Sequence, residues 1–230
     1  MPSSGRLYLV PTPIGNLGDI TRRALEVLSE VDVVACEDTR TSGRLLKHFQ
    51  IKKRLISYHE FNEQARAGRI VDAIAAGESV AVVTDAGSPG ISDPAYRVVR
   101  AAIDAGIEIN ALPGPTAIIP ALTASGLPTD RFFYEGFLPV KDGARRRRLE
   151  AVGAFEHTLV FYESPHRIHK TVAAMVDVLG DRQACLAREI SKKFEEYIRG
   201  SLQEIQNQIS GRTVKGELVI VIAGSDASKE

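Results

Sequence analysis

The sequence predicts an α/β protein of two domains, and three observations support this fold class. Short apolar segments alternate with helical patterns over the first half, which is typical of a parallel sheet. Proline and glycine cluster at 112–117, where the composition changes. The 230 residues are 44% hydrophobic and 25% charged, a normal globular balance. We therefore predict an N-terminal parallel α/β domain over 1–114 and a C-terminal mixed-sheet α/β domain over 115–230.

The first half contains five runs of apolar, largely β-branched residues, which we interpret as buried strands. They lie at 7–10, 31–36, 54–58, 79–84 and 107–112. Helices are predicted at 20–29, 61–76 and 94–105, where apolar residues recur with helical spacing. Asp19 and Asp93 precede two of these helices as expected N-caps, whereas Gly77 and Gly106 follow two of them as expected C-terminal glycines.

The second half has a different order of elements. Helices are predicted at 116–125, 143–151, 165–178 and 202–209, and strands at 131–137, 157–162, 183–189, 194–200 and 217–223. Two β-rich runs within 185–200 are separated by charged residues, which indicates an antiparallel pair.

Charge and composition exclude several classes of protein. Lys plus Arg and Asp plus Glu each number 29, so nucleic-acid binding must depend on local patches. The two cysteines are too few for a disulfide scaffold. The uncharged stretch 109–129 contains prolines that a single membrane-spanning helix tolerates badly, and the N-terminus lacks a signal-peptide pattern. We expect a soluble, cytoplasmic chain.

Each predicted strand of the first half is followed by an unusual segment rich in glycine, proline or polar residues. These segments are 11–19, 37–40, 59–63, 85–94 and 113–116. One such segment alone is more often a turn, but ligands bind beyond the carboxyl ends of parallel strands. Five of them on one edge predict a binding cleft.

Common nucleotide and metal motifs are missing from the sequence. The segment 15–19 has neither dinucleotide-binding nor P-loop spacing, and no H-E-x-x-H, C-x-x-C or G-x-S-x-G occurs. His157, His166 and His169 do not form a plausible ligand set, so we expect no metal.

Two basic clusters stand out, at 44–54 and 141–148, each with five Lys or Arg residues. Either one alone is equally well explained as a solvated surface. Together they predict a surface that contacts an RNA backbone. The candidate contacts are Arg40, Arg44, Lys47, Lys52, Lys53, Arg145, Arg146, Arg147 and Arg148.

Several motifs carry a resemblance to a known family. In order, the chain contains LYLVPTPIGNLGDIT, VACEDTRTSGRLL, VTDAGSPGISDP, LPGPTA, FYEGFLP, TLVFYESPHRI, LAREISKKFEE and KGELVIVI. Over 5–224 it resembles the tetrapyrrole (corrin/porphyrin) methylase superfamily, and most closely its ribosomal RNA small subunit methyltransferase I subgroup. Members of that subgroup are cytidine 2′-O-methyltransferases, and they commonly continue after the last strand with a helical extension.

The resemblance implies a cleft between two α/β domains that binds S-adenosyl-L-methionine as methyl donor, and a homodimer. It implies that the acceptor is a cytidine ribose in the decoding region of small-subunit ribosomal RNA, free or in the assembled subunit. By position, the donor-binding residues would be Pro11, Asp85, Ala86, Gly87, Pro113, Gly114, Pro115, Thr116, Tyr162, Glu163, Ala187, Arg188, Glu189, Gly216 and Glu217.

A ribose hydroxyl is a weak nucleophile, so a general base is expected near the acceptor. His59 and Asp38 are the first candidates, followed by Glu37 and Glu63. Lys192 could lower the pKa of the hydroxyl electrostatically. A structural alternative for Asp38 is an N-cap with an ion pair to Arg40.

Two other functions stay open at this point. A porphyrinogen or corrin C-methyltransferase of the same fold would share the donor site but need a pocket for a polycarboxylate macrocycle. A non-catalytic ribosome-binding module would keep the basic clusters, but it gives no reason for the strand-end segments.

Overall fold

A computed structural model of the chain describes residues 5–225. The chain forms two compact units, which divide between Thr116 and Ala117. The predicted boundary follows residue 114, within the same Pro/Gly-rich segment. Each unit is described by itself.

The first unit contains a five-stranded sheet in the order β3-β2-β4-β1-β5, with every neighbouring pair parallel. The strands are β1 (Leu7–Leu9), β2 (Val33–Cys36), β3 (Arg54–Ser57), β4 (Val80–Val83) and β5 (Ile109–Ala111). Each lies within a predicted range. The parallel sheet predicted from the alternation of strands and helices is confirmed.

Helices cover both faces of this sheet. They are α1 (Arg22–Glu30), α2 (Thr39–His48), α3 (Glu63–Ala75) and α4 (Ala95–Asp104). Alternate strand residues face opposite sides, so Val33 packs with the α3 and α4 side whereas Val34 packs with the α1 and α2 side. Burial on both faces explains why the inner strands β2 and β4 are apolar throughout.

The ends of the first-unit helices correct some predictions. Asp19 lies in a short 3-10 helix, and Thr21 caps α1 by accepting a hydrogen bond from the Ala24 amide. Asp93 precedes Pro94, and its carboxylate accepts from the Ala95 amide at 3.2 Å. Gly106 has the positive φ expected after α4, at 69°.

Helix α2 is absent from the predicted helices. Its first half reads Thr39-Arg40-Thr41-Ser42-Gly43, and Thr, Ser and Gly have low helix propensity. The helix forms because Asp38 caps it and Leu46 is buried against the sheet.

The second unit contains a mixed sheet in the order β6-β7-β10-β8-β9. The strands are β6 (Phe132–Phe137), β7 (Thr158–Glu163), β8 (Gln183–Arg188), β9 (Glu196–Ser201) and β10 (Leu218–Ile222). Strands β6 and β7 are parallel, whereas β10 is antiparallel to both of its neighbours. The predicted antiparallel pair is confirmed in β8 and β9.

Four helices accompany this sheet: α5 (Ile118–Thr123), α6 (Asp142–Gly153), α7 (Ile168–Leu179) and α8 (Leu202–Ile209). Buried residues of α6, α7 and α8 join Phe161 and Leu186 in one apolar core. Helix α5 packs near β10. No helix within residues 5–225 is long and apolar enough to cross a membrane.

Candidate functional site

The strand-end segments of the first unit lie at one edge, because the five strands they follow are parallel. The loops after β1 and β4 are joined directly. The Thr12 amide donates to the Gly87 carbonyl, and the Gly87 amide donates back to Thr12, both at 2.9 Å. The predicted common edge is therefore present.

Two glycines allow these loops to approach each other. Gly87 has a φ of +88°, a conformation that side chains disfavour. A Cβ atom at Gly114 would lie 2.7 Å from the Cβ of Pro11, so only glycine fits there without movement. Ser88 donates from its hydroxyl to the Pro115 carbonyl at 3.0 Å. The loops after β1, β4 and β5 thus form one cradle, which we call the glycine cradle.

The remaining predicted donor residues of this unit lie on the cradle. Asp85, Ala86, Pro113 and Gly114 are exposed, whereas Pro115 and Thr116 are partly buried. Backbone that is not covered by large side chains can bind the carboxylate of a ligand through its N–H groups. The arrangement fits the donor that the resemblance implies.

Carboxylates from two strand ends meet beside this cradle. The hydroxyl of Thr84, after β4, donates to Glu37, after β2. The Asp38 amide donates to Asp85 at 3.3 Å. Burial raises the pKa of Glu37, although the Thr84 hydrogen bond partly offsets this effect. Glu37 is thus a half-buried carboxylate with increased basicity.

Asp38 has the opposite electrostatics. Its carboxylate accepts hydrogen bonds from the Arg40 guanidinium and the Arg40 amide, both at 2.7 Å. These bonds with Arg40 lower the pKa of Asp38 to about 2. The structure thus shows the cap and ion pair that were the structural alternative, and a strongly acidic carboxylate is a poor base.

His59 lies after β3 and is held by Asn62. Its backbone amide donates to the Asn62 side chain at 3.0 Å, and its Nε2 lies 3.1 Å from Asn62 Nδ2. When Nε2 of His59 accepts a hydrogen bond from the side-chain amide of Asn62, Nδ1 carries the proton. Nδ1 is buried without a hydrogen-bond partner among the described residues. Glu63 is engaged elsewhere, in an ion pair with Arg97 at 2.7 Å.

In the second unit, the predicted donor residues also share one edge. Leu218, at the start of β10, pairs with Glu163 at the end of β7 and with Arg188 at the end of β8. This register places Tyr162 and Glu163, Ala187 to Glu189, and Gly216 and Glu217 in one row. The Glu189 amide donates to the Glu217 carbonyl at 2.9 Å.

Several of these side chains are already occupied. The Glu163 carboxylate is buried and accepts from Arg167 at 2.7 Å and from the Thr171 hydroxyl. Arg188 pairs with Glu196 at 3.0 Å. Ala187 is fully buried. Glu163 and Ala187 therefore support this edge of the sheet from the interior of the unit.

Lys192 is held between two carboxylates of the same edge. Its Nζ lies 2.9 Å from Glu189 and 3.1 Å from Glu217. Burial alone would lower the pKa of Lys192, but the two carboxylates outweigh burial and the pKa is raised. Lys192 is thus a firmly charged ammonium.

The two basic clusters differ in how their charges are used. Arg145 is buried, with its guanidinium bound by Asp142 and by the Val140 carbonyl. Arg146 pairs with Asp142 and Asp177, and Arg148 makes two hydrogen bonds to Glu135. Arg147 is exposed and forms no ion pair with a described residue.

The cluster at 44–54 has few internal partners. Arg54 pairs with Glu78 at 2.5 Å. Arg44, Lys47, Lys52 and Lys53 form no ion pair with any residue in the described range. The three lysines line an open groove of about 620 Å³ between α2 and β3. We name residues 44–54 the α2 basic segment and residues 145–148 the arginine run.

The sequence did not reveal a second cavity of about 360 Å³ beside the loop after β1. Leu17, Leu45 and His48 line it together with Arg44 and Thr84. Leu45 and His48 lie on α2, a helix that the sequence pattern does not predict. No group of three or more His, Cys, Asp or Glu within residues 5–225 is placed to hold a metal.

The fold, with candidate residues at one edge of each sheet, can now be compared with known families of proteins. A model of the family of Tetrapyrrole (Corrin/Porphyrin) Methylases matches residues 6–206. The chain belongs to this family, and it is a methyltransferase.

Two individual relatives of the chain share one name. A Ribosomal RNA small subunit methyltransferase I of Mesorhizobium japonicum is 48% identical over 231 residues, covering 100% of this chain and 79% of the relative. The protein of the same name from Escherichia coli O157:H7 is also 48% identical, covering 99% of this chain and 81% of the relative.

Solved structures show the same fold. The methyltransferase CobJ has a TM-score of 0.71 at 19% identity, with 96% of this chain and 95% of that chain covered. Uroporphyrin-III C-methyltransferase from Thermus thermophilus, complexed with S-adenyl homocysteine, has a TM-score of 0.64 at 22% identity, with 94% and 97% covered. At these identities the likeness concerns the fold alone.

Proposed function

We propose that this chain transfers a methyl group from S-adenosyl-L-methionine to the 2′-hydroxyl of a cytidine in the decoding region of small-subunit ribosomal RNA. The relatives at 48% identity bear the name of a ribosomal RNA methyltransferase. The observation that carries the proposal is the half-buried carboxylate of Glu37, held by Thr84, which lines the same cavity as Arg44 of the α2 basic segment. This site brings a base for a hydroxyl close to a cation that suits an RNA phosphate.

The glycine cradle is the proposed donor-binding part of the first unit. When bound there, S-adenosyl-L-methionine supplies an activated methyl group. Backbone around Gly87 and Gly114 would bind and orient the donor, and alignment with the acceptor hydroxyl accounts for much of the rate. In the second unit, the row formed by Tyr162, Glu189 and Glu217 is proposed to contribute as well.

Glu37 is the proposed general base, ahead of Asp38 and His59. A base works best when its pKa approaches the working pH, and burial moves Glu37 in that direction. The hydroxyl proton passes to the Glu37 carboxylate, while Thr84 keeps that carboxylate in position through its hydrogen bond.

The test compares Glu37→Gln with the wild type on small subunits purified from a strain that lacks this methylation. We expect kcat to fall about 100-fold or more, since a positioned base contributes on that scale. Because Glu37 acts only when ionised, the rate of the wild type should fall with acid around its raised pKa. The Gln variant should lack this limb. The methyl donor carries an isotopic label in its methyl group, and mapping this label in the ribosomal RNA identifies the nucleotide.

A matched control is Glu108→Gln, which removes an exposed carboxylate paired with Arg6 at the amino edge of the same sheet. It should leave kcat unchanged. If Glu37→Gln retains full activity with its acid limb, the base lies elsewhere and His59 takes its place. If no label enters ribosomal RNA with the wild type, the proposed acceptor is wrong.

The donor site has a separate test. Ala86 is exposed on the cradle, so Ala86→Trp blocks it without requiring a positive φ. We expect calorimetry to show loss of S-adenosyl-L-methionine binding. Ala105→Trp adds the same bulk at the exposed end of α4 and should bind normally. Equal affinities for both variants would contradict the cradle as the donor site.

We further propose a homodimer in the cytoplasm, on the strength of the resemblance. Light scattering at micromolar concentration should give twice the 25.0 kDa mass of one chain. A mass of one chain would contradict it.

A further inference from the structure

A second feature of the first unit, the 360 Å³ cavity, has the properties of a ligand site. It lies between the loop after β1 and helix α2. Its volume falls within the range of about 300–1,000 Å³ that is usual for small-molecule sites. We call it the α2 cavity.

The walls of the α2 cavity combine two kinds of chemistry. Leu17 and Leu45 supply apolar surface, and Leu17 is 41% exposed. Arg44 and His48 supply nitrogen donors at the same cavity, one helical turn apart on α2. Apolar walls suit the faces of a base, and guanidinium and imidazole groups suit a phosphate. A nucleotide carries both.

The α2 cavity adjoins the glycine cradle. In the sheet order β3-β2-β4-β1-β5, the cradle joins the loops after β4, β1 and β5. The α2 cavity shares the loops after β1 and β4 with the cradle, with Asp85 at their junction, and it extends from there towards α2, which follows β2. Thr84 lines the cavity and also donates to Glu37. The proposed base thus adjoins the cavity wall.

One wall can distinguish between pyrimidines. Asp85 lines the α2 cavity with a carboxylate that accepts hydrogen bonds. Cytosine presents an amino group that donates to a carboxylate, whereas uracil presents a carbonyl oxygen at the same position.

We propose that the α2 cavity receives the target nucleotide of the acceptor RNA, extruded from its strand, with the base between Leu17 and Leu45 and the phosphate at Arg44 and His48. Enzymes that do chemistry on a base extrude the nucleotide into a pocket, and extrusion would expose the ribose of the target nucleotide in the same way. This inference rests on the proposed function and adds the subsite that selects the nucleotide. Leu17, Leu45 and Asp85 determine specificity.

The experiment titrates the full chain with cytidine 5′-monophosphate and with uridine 5′-monophosphate at millimolar concentrations. Backbone amide signals in nuclear magnetic resonance spectra report where each binds. We expect shifts centred on Leu17, Leu45 and His48, with tighter binding of the cytidine nucleotide. Leu17→Trp, which fills the cavity, and Arg44→Ala, which removes the phosphate contact, should each raise the Kd at least tenfold.

Two controls on α4 match these changes. Ile103→Trp adds an indole at a residue that is 55% exposed, and Arg100→Ala removes an exposed arginine. Both should bind the cytidine nucleotide as the wild type does. Shifts centred elsewhere, no binding at all, or a Kd insensitive to both cavity variants would overturn the inference.

Methylation of small subunits is measured in parallel, so that the two failures can be told apart. Methylation without nucleotide binding in the cavity overturns the cavity and leaves the proposed function standing. Cavity binding of the cytidine nucleotide without methylation of ribosomal RNA supports the cavity and overturns the proposed acceptor.

Discussion

The α2 basic segment and the arginine run have similar charge in the sequence but different surroundings in the fold. In the arginine run, Arg145, Arg146 and Arg148 are bound by carboxylates. In the α2 basic segment, Arg54 alone pairs with a described carboxylate, Glu78. A count of cations therefore does not predict which of them can contact a ligand.

The difference arises from the partners that other elements supply. Asp142 begins α6, Asp177 lies on α7, and Glu135 lies on β6. Two of these acids are remote in sequence from the arginines they bind. No acid interrupts 44–54, and Asp38 at the start of α2 is occupied by Arg40. RNA contact is thus expected at the α2 basic segment.

The largest effect should come from Lys47→Ala, Lys52→Ala and Lys53→Ala combined. Each phosphate contact contributes roughly 0.7 to the salt slope for single-stranded RNA, so three contacts contribute about 2. We expect RNA affinity at low salt to fall at least tenfold, and filter binding across salt concentrations to show the smaller slope. Donor affinity, measured by calorimetry, should not change. An unaltered slope would remove the distinction between the two clusters.

Arg145→Met should act on stability and not on RNA. The side chain is only 5% exposed and is bound by Asp142 and the Val140 carbonyl. Since Asp142 is itself largely exposed, we expect a loss of about 2 kcal/mol, less than the roughly 3–5 kcal/mol typical of a fully buried pair. Urea unfolding measures this loss, and the salt slope of RNA binding should stay as in the wild type. A stable variant with weaker RNA binding would reverse the assignment.

Asp38→Asn tests the ion pair between Asp38 and Arg40 at the start of α2. The pKa of Asp38 is lowered in the fold to about 2, so its charge stabilises the protein above the ordinary value of 3.8. That stabilisation declines as the pH falls from about 4 towards 2. The difference in unfolding free energy between wild type and variant should therefore shrink over this range. A difference that does not vary with pH would argue against the ion pair with Arg40.

The smallest effect is expected for Arg147→Ala. Arg147 is the exposed member of the arginine run that has no ion pair within residues 5–225. Its loss should change the salt slope by at most roughly 0.7 and the RNA affinity by less than threefold. A larger effect in filter binding would show that RNA reaches the second unit here.

The sequence was sufficient for much of the fold. The apolar runs predict all five strands of the first sheet, and the signal is clearest in β2 and β4, which are apolar and buried on both faces. It did not predict α2, whose stability depends on the Asp38 cap and on the burial of Leu46. The α2 cavity was missed for the same reason.

The ranking of the candidate bases also needed the fold. Asp38 and Glu37 are adjacent in the sequence. In the fold, Arg40 lowers the pKa of Asp38, whereas burial raises the pKa of Glu37. The hydrogen bond to Glu37 comes from Thr84, which local sequence does not place beside it. Burial and long-range contacts are properties of the folded chain.

The contact between Gly114 and Pro11 also restricts how this protein can evolve. Because a Cβ at position 114 would come within 2.7 Å of Pro11, a substitution of Gly114 requires a change at position 11 or a movement of its loop. A genetic screen that starts from Gly114→Ala should recover second-site suppressors at position 11 more often than elsewhere. The loops that contain Pro11 and Gly114, more than a hundred residues apart in the sequence, are thus expected to change together in evolution.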